Sequence, residues 1–225
     1  SLVALENSSG ETGTSFTRTD PDGAGDNATY QLLNSASGRF TLSSTGALSV
    51  AAGAGLNYEG TTFYVIRVQV TDSGGLTYWE DFTVTVGDVN EQPALATMSF
   101  SVVTENAAVG AVIGSAASFY SDPDTAVANR SPFYSFVVNG SPSQTDASGK
   151  FSINSATGQI TVASALNYEA AQSYAVTVRV RDQNGAGLFA DRAVTITVSD
   201  VNEAPTLSAM TLSVLENSAP ATAVG

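Results

Sequence analysis

The chain has 225 residues, 43% of them hydrophobic and 13% charged, which is globular usage and not the composition of a disordered segment. Twenty-one Asp plus Glu against eight Lys plus Arg leave a net charge of −13, which repels nucleic acid and anionic membrane surfaces and suits cations. With no Cys and no His, thiolate and imidazole metal sites, Cys nucleophiles and the Ser-His-Asp triad are all excluded.

Taken in chain order, the segments form a pattern that then starts again. Glu6-Asn7 comes first, followed by Asp20-Pro21-Asp22 and by short predicted strands at Phe40–Leu42 and Ala47–Val50. Leu56-Asn57-Tyr58-Glu59 precedes a strand in which Tyr64, Ile66, Val68 and Val70 alternate with Val65, Arg67 and Gln69, the period of two of a half-buried strand. Asp72-Ser73-Gly74-Gly75 is a turn signal, Phe82, Val84 and Val86 make a last strand, and Asp88-Val89-Asn90-Glu91-Gln92 leads out of it. The second pass runs Glu105-Asn106, Asp122-Pro123-Asp124, strands at Phe151–Ile153 and Gln159–Val162, and Leu166-Asn167-Tyr168-Glu169. It continues with the alternating Tyr174, Val176, Val178 and Val180, the turn at Asp182-Gln183-Asn184-Gly185, the strand of Val194, Ile196 and Val198, and Asp200-Val201-Asn202-Glu203. A third Glu-Asn pair stands at Glu216-Asn217.

Four motifs in one order mark a duplicated unit of roughly 100–110 residues. The expected division is 1–92, 93–204, and 205–225 as the start of a third unit, with the natural protein continuing in both directions. About seven short strands per unit, with no sustained helical periodicity, predict an all-β chain of tandem β-sandwiches. No secretory signal and no apolar run long enough to span a bilayer is visible.

The acids fall at strand ends and in connections, and strand ends of a sandwich gather at two poles. Calcium takes roughly six to eight oxygens from carboxylates, amides, backbone carbonyls and water, and the repeated motifs hold such groups where one unit would meet the next. Each motif alone has a plainer reading. Asp-Pro-Asp is a common turn, Asp72 and Asp182 can start turns, and a Glu before a strand is usually solvated. Paired carboxylates can also hydrolyse glycosides, but a catalytic pair would occur once, whereas these recur at matching places in each unit. The expectation is therefore no enzyme.

The sequence resembles cadherin-like repeats, and in particular those of bacterial extracellular surface proteins, over essentially its whole length. Glu6 matches an early Glu, Leu56-Asn57-Tyr58-Glu59 resembles L-D-R-E, and Asp88-Val89-Asn90-Glu91-Gln92 resembles the D-x-N-D-N linker. Asp122-Pro123-Asp124 resembles the D-x-D of the following domain, and Asp182 its later Asp. The resemblance implies Greek-key, immunoglobulin-like sandwiches whose junction binds up to three calcium ions, with Val89 and Gln92 contributing backbone carbonyls. It departs at Asn57 and Asn167, where an amide replaces a carboxylate, and at Glu91 and Glu203, which are one methylene longer than the usual Asp.

By the same correspondence, the junction between units one and two is complete: Glu6, Glu59, Asp88, Asn90, Glu91, Asp122, Asp124 and Asp182. The donor half alone stands at Glu105, Asn167, Glu169, Asp200, Asn202 and Glu203, and the acceptor half alone at Asp20, Asp22 and Asp72. The expected function is a calcium-rigidified extender in a large adhesion protein at the cell surface. The alternatives are domains that themselves bind polysaccharide or an identical repeat, with Tyr58, Trp79 and Tyr168 as stacking candidates, and an accessory module of a polysaccharide-degrading enzyme.

Overall fold

The computed structural model describes residues 2–21, 27–221 and 223. Unit one contains β1 (Leu2–Leu5), β2 (Gly10–Ser15), β3 (Thr29–Asn34), β4 (Phe40–Leu42), β5 (Ala47–Val50), β6 (Phe63–Thr71) and β7 (Thr77–Gly87). One sheet has the order β1-β7-β6-β3 and the other β2-β5-β4. All pairs are antiparallel except β1 with β7, which run parallel from Leu2↔Val84 to Leu5↔Gly87. Between the sheets lies a core of Phe40, Leu48, Val50, Leu56, Ile66, Val68, Val84 and Val86. The alternation in β6 explains this side-chain placement, since Ile66 and Val68 are buried while Val65 is exposed.

Unit two repeats the plan with β8 (Ala94–Leu95), β9 (Val103–Thr104), β10 (Val112–Ser115), β11 (Tyr120–Ser121), β12 (Phe133–Val138), β13 (Ser141–Ser143), β14 (Phe151–Ile153), β15 (Gln159–Val162), β16 (Ser173–Arg181) and β17 (Phe189–Ser199). The larger sheet has the order β13-β12-β16-β17-β9, opposite β10-β15-β14, and β8 pairs with β11. Its core, centred on Tyr134, Phe136, Phe151, Ile160, Val178 and Ile196, is separate from that of unit one. Among the described residues the only helical segments are two 3-10 turns, Ala116–Phe119 and Gln183–Gly185. The all-β expectation of tandem Greek-key sandwiches holds.

The details differ in two places. The last strands start earlier than the apolar pattern predicts, at Thr77 and Phe189, because β7 and β17 zip to the ends of β6 and β16 (Thr71↔Thr77, Arg181↔Phe189). Exposed Tyr78 and Trp79 break the alternation there. The residue pattern locates β4 to β7 and β14 to β17 but not β1 to β3 or β8 to β13, although β13 carries its own turn signal. That strand is made by a two-residue hairpin at Asn139-Gly140, both with positive φ (51° and 80°), which the Asn-Gly dipeptide itself signals.

Gly46 and Gly158 occupy equivalent positive-φ sites over Tyr30 and Tyr134. A Cβ there would press on the Phe16 carbonyl at 2.8 Å or the Ala117 nitrogen at 2.9 Å. After Ala204 the chain is largely exposed and, among the described residues, forms no strand. It still repeats one local feature of unit one: Ser218 Oγ donates to the Leu215 carbonyl as Ser8 Oγ does to that of Leu5.

Candidate metal centre

The junction is assembled around Glu6, which is buried behind β1. Its Oε2 accepts the Tyr58 N–H at 2.7 Å and its Oε1 accepts the Val89 N–H at 2.8 Å. One side chain thus fastens both the 56–59 segment and the linker to the end of its own sandwich. Glu105 does the same in unit two, with Tyr168 N–H and Val201 N–H both at 2.7 Å. Those two donors hold the Glu105 carboxyl below its ordinary range.

Three acidic groups follow one another across the junction: Glu6, Glu59 and Glu91; Glu59, Asp88 and Asp124; and Asp122, Asp124 and Asp182. Within each group one carboxylate oxygen of each residue lies within 4.8 Å of those of the others. Glu59 belongs to the first two groups and Asp124 to the last two, so the groups form one continuous row. Unit one supplies Glu6, Glu59 and Asp88, unit two supplies Asp122, Asp124 and Asp182, and Glu91 comes from the linker between them.

Direct bonds lace the two sides together. The Glu91 N–H donates to Asp124 Oδ2 at 2.9 Å, Asn90 Nδ2 to Asp182 Oδ2 at 2.9 Å, and Gln92 Nε2 to the Phe189 carbonyl at 2.8 Å. Asn7 Nδ2 donates to Glu91 Oε1 at 2.9 Å. Asn129, which the sequence reading did not single out, donates through Nδ2 to both Asp88 Oδ2 and Asp124 Oδ1 at 3.2 Å. Its own Oδ1 accepts Gln183 Nε2 and its carbonyl accepts the Gln183 N–H. An Asn five residues after Asp124 carries no distinguishing local signal.

These bonds do not satisfy the site. Both oxygens of Glu59, Oδ1 of Asp88, Oδ1 of Asn90, Oε2 of Glu91 and Oδ1 of Asp182 are buried and accept no hydrogen bond. Among the described residues only one other buried side-chain polar atom lacks a partner, Nε of Arg39. A buried carboxylate oxygen without a partner is costly, and six orphaned oxygens in one row are the donor set of a hard cation. The electrostatics agree. Burial raises the Glu59 carboxyl above its usual range, and the charges of Glu6 and Glu91 push it further. Burial likewise raises Asp88, with Asp124 and Glu6 adding to the effect, and raises Asp122. The Tyr120 hydroxyl steadies Asp122 by donating to its Oδ2 at 2.8 Å. Gly187 leaves the room that Asp182 occupies, since a Cβ there would overlap Asp182 Oδ1.

The remaining candidates sit elsewhere. The amide oxygens of Asn57 and Asn167 face their own turns, accepting the N–H groups of Gly60 and Ala170. Glu105, Glu169 and Asp200 form a fourth group at the far end of unit two, while Asn202 and Glu203 beyond it are exposed. At the opposite pole Asp20 pairs with Arg18, and Asp72 Oδ1 accepts the Leu76 N–H at 2.8 Å as a turn former. Asp22 lies outside the described residues. Of the stacking candidates, Tyr58 and Tyr168 pack on the two cores, and the Arg67 guanidinium covers a face of Trp79 at 4.0 Å.

Two sandwiches joined by a linker whose acids interlock with both define a tandem all-β repeat protein with an oxygen-donor junction. The cadherin domain model matches residues 2–87 and 100–199, and the chain belongs to that family. It is 32% identical over 167 residues to protocadherin Fat 2 of Rattus norvegicus, covering 72% of this chain and 4% of that protein. It is also 32% identical over 182 residues to cadherin-4 of Gallus gallus, covering 74% of this chain and 19% of the relative. The chain therefore spans a small fraction of the length of these relatives. Among solved structures, mouse cadherin-23 EC22-24 superposes with a TM-score of 0.67 at 27% identity, over 89% of this chain and 63% of that one. Human protocadherin-24 EC1-2 shares the fold, with a TM-score of 0.70 at 23% identity over 89% of this chain and 94% of the other. These relatives are animal cadherins, so the bacterial side of the expected resemblance gains no support from them.

Proposed function

We propose that the chain is a calcium-stiffened extender within an extracellular adhesion protein. The observation that carries the reading is the row of orphaned, buried oxygens shared between two units. Glu6, Glu59, Asp88, Asn90, Glu91, Asp122, Asp124 and Asp182 would hold the ions, with backbone carbonyls of Val89 and Gln92 as further donors. Bound calcium supplies positive charge to which carboxylate and carbonyl oxygens turn without a strict geometry.

The chain's own residues do the rest. Glu6 fixes the 56–59 segment and the linker in place, and Asn129 and Tyr120 orient acids of the second unit. Without cations the like charges repel across the junction and the two sandwiches swing about the linker; with charge balanced the junction stiffens. Extracellular calcium modules have dissociation constants of roughly 10⁻⁴–10⁻³ M, so such sites fill outside cells and empty in the cytosol. No helix among the described residues is long and apolar enough to cross a membrane. The acids recur as structural pairs in each unit, which supports a module without catalysis.

The test uses the absence of native Cys. Spin labels at Ser44→Cys and Ala147→Cys, one on each unit, report the distance distribution between the sandwiches. The distribution narrows sharply in millimolar calcium relative to chelator. Equal widths in the two buffers would overturn the extender role even if calcium binds.

A further inference from the structure

Strand β13 is the outer strand of the larger sheet of unit two and covers the edge of β12, yet little besides its turn holds it there. The two strands make three pairs, Phe136↔Ser143, Val137↔Pro142 and Val138↔Ser141, and the Pro142 nitrogen has no proton to give to that ladder. None of the three β13 residues is buried. Beyond them Gln144 ties the chain back, its Nε2 donating to the Tyr134 carbonyl at 3.2 Å and its own carbonyl accepting the Ile153 N–H at 2.9 Å.

The turn itself is Asn139-Gly140, with both residues exposed and at positive φ. Among the described residues the Gly140 N–H has no acceptor, and nothing lies within 4 Å of where a Cβ would stand on Gly140. A second Asn-Gly pair, Asn184-Gly185, is closed off by comparison. The Gly185 N–H donates to the Asp182 carbonyl at 2.8 Å and the Asn184 N–H to the Ser131 carbonyl at 2.7 Å. The Gly185 backbone also lies against the Phe133 ring, where a Cβ would stand 3.1 Å from Phe133 Cγ. The backbone nitrogen that follows an Asn can attack the side-chain amide carbon, and a following Gly leaves that approach open because it has no Cβ.

We propose that Asn139 is a site of spontaneous deamidation, the one of the two Asn-Gly pairs that the fold leaves open to it. The Gly140 nitrogen attacks Asn139 Cγ. The new N–Cγ bond forms, the Cγ–Nδ2 bond breaks, and ammonia leaves carrying the proton from Gly140. Water then adds to either carbonyl of the succinimide ring and opens it to Asp or to isoaspartate. The sum is amide plus water giving carboxylic acid plus ammonia, with no change of oxidation state. In the isoaspartate product the main chain runs through Cβ and is one atom longer at the turn. A two-residue loop built from two positive-φ residues does not admit the extra atom, so Val138↔Ser141 and the pairs after it open. The edge of β12 is then bared to solvent or to another strand. No junction carboxylate takes part, so the proposal does not depend on the calcium reading.

Prolonged incubation of the whole chain in saturating calcium at mildly alkaline pH, followed by peptide mapping with electron-transfer fragmentation, tests it. Asn139 converts, with isoaspartate the larger product. Asn184, whose Gly185 N–H must first leave the Asp182 carbonyl, converts about tenfold more slowly. In urea the two rates converge, which separates the effect of the fold from that of the dipeptide. A folded chain in which Asn184 keeps pace with Asn139, or in which Asn139 stays intact while it converts in urea, overturns the assignment. Hydrogen exchange on the isoaspartate fraction, isolated by chromatography, reads the consequence. Peptides covering β13 lose protection relative to the unmodified chain, while those covering β16 keep theirs. Unchanged protection across β13 would overturn the opening of the edge.

Discussion

Glu59→Gln is the substitution whose effect should change sign with calcium. Glu59 shares its two groups with Glu6, Glu91, Asp88 and Asp124, and neither of its oxygens accepts a hydrogen bond. Two unit charges at the 4.8 Å that bounds each group repel by about 0.9 kcal/mol under full aqueous screening and by about 3.5 kcal/mol at an effective dielectric of about 20. Removing one charge facing four others, and giving its amide a chance to donate to Asp88 Oδ1 or Glu91 Oε2, should stabilise the calcium-free protein by about 1–2 kcal/mol. For a domain of this size each kcal/mol moves the melting temperature by roughly 4–8 °C. In calcium the balance reverses. Calcium at 100 times its dissociation constant stabilises the wild type by about 2.7 kcal/mol per site. Losing a carboxylate from two groups at once, at a tenfold weakening each, removes about 1.4 kcal/mol per group. Differential scanning calorimetry of both proteins in calcium-free and millimolar-calcium buffer reads the two shifts. A variant that melts lower than wild type in both buffers, or equally in both, would refute the reasoning, because it would mean that Glu59 is not held in the row by charge alone.

Two further outcomes follow from the same row. Gly187→Ala removes no ligand but drives a methyl into the Asp182 carboxylate, so isothermal titration should show calcium affinity weakened at least about tenfold at one class of sites, a change of about 1.4 kcal/mol; an unchanged isotherm would show that Asp182 is not a ligand in its present position. Acid should also stabilise the calcium-free protein. Glu59, Asp88 and Asp122 have raised folded-state pKa values, so the folded chain binds more protons than the unfolded one between the ordinary values, 4.5 for Glu and 3.8 for Asp, and the raised ones. Stability then falls as pH rises through that window, and the calcium-free melting temperature should climb as pH is lowered from neutrality toward the ordinary carboxylate values. The lowered pKa of Glu105 acts the other way only once pH falls below its ordinary 4.5. A calcium-free melting temperature that stays flat or falls on acidification down to about the ordinary Glu value of 4.5 would refute the sign.

Much of this was readable from residue order. The strands Phe40–Leu42, Ala47–Val50, Phe151–Ile153 and Gln159–Val162 fall where alternation and turn residues put them. The acids that meet at the junction are those the repeat pointed to, because strand ends of a sandwich converge whatever lies between them. Side-chain direction was not readable. Asn57 and Asp72 look like ligands by spacing, yet each carries an acceptor oxygen that its own turn uses through a nearby N–H, at Gly60 and Leu76. Asn129 escaped notice for the opposite reason, since its partners Asp88 and Gln183 are distant in sequence and only the closed junction brings them to it.

The parallel pairing of each unit's first and last strands bears on how a chain of such units carries load. Tension enters a unit through the residues before β1 and leaves through the linker after β7, pulling two hydrogen-bonded parallel neighbours in opposite directions along their length. The bonds between Leu2–Leu5 and Val84–Gly87 then lie across the pull and must yield together, in shear, instead of opening one after another like a zipper. Unit two makes the same contact with only Val103–Thr104 against Val198–Ser199, and anchors the rest of its entering segment through β8 on β11 and Arg192. Under stretching, the clamp in unit two is therefore two short seams in series.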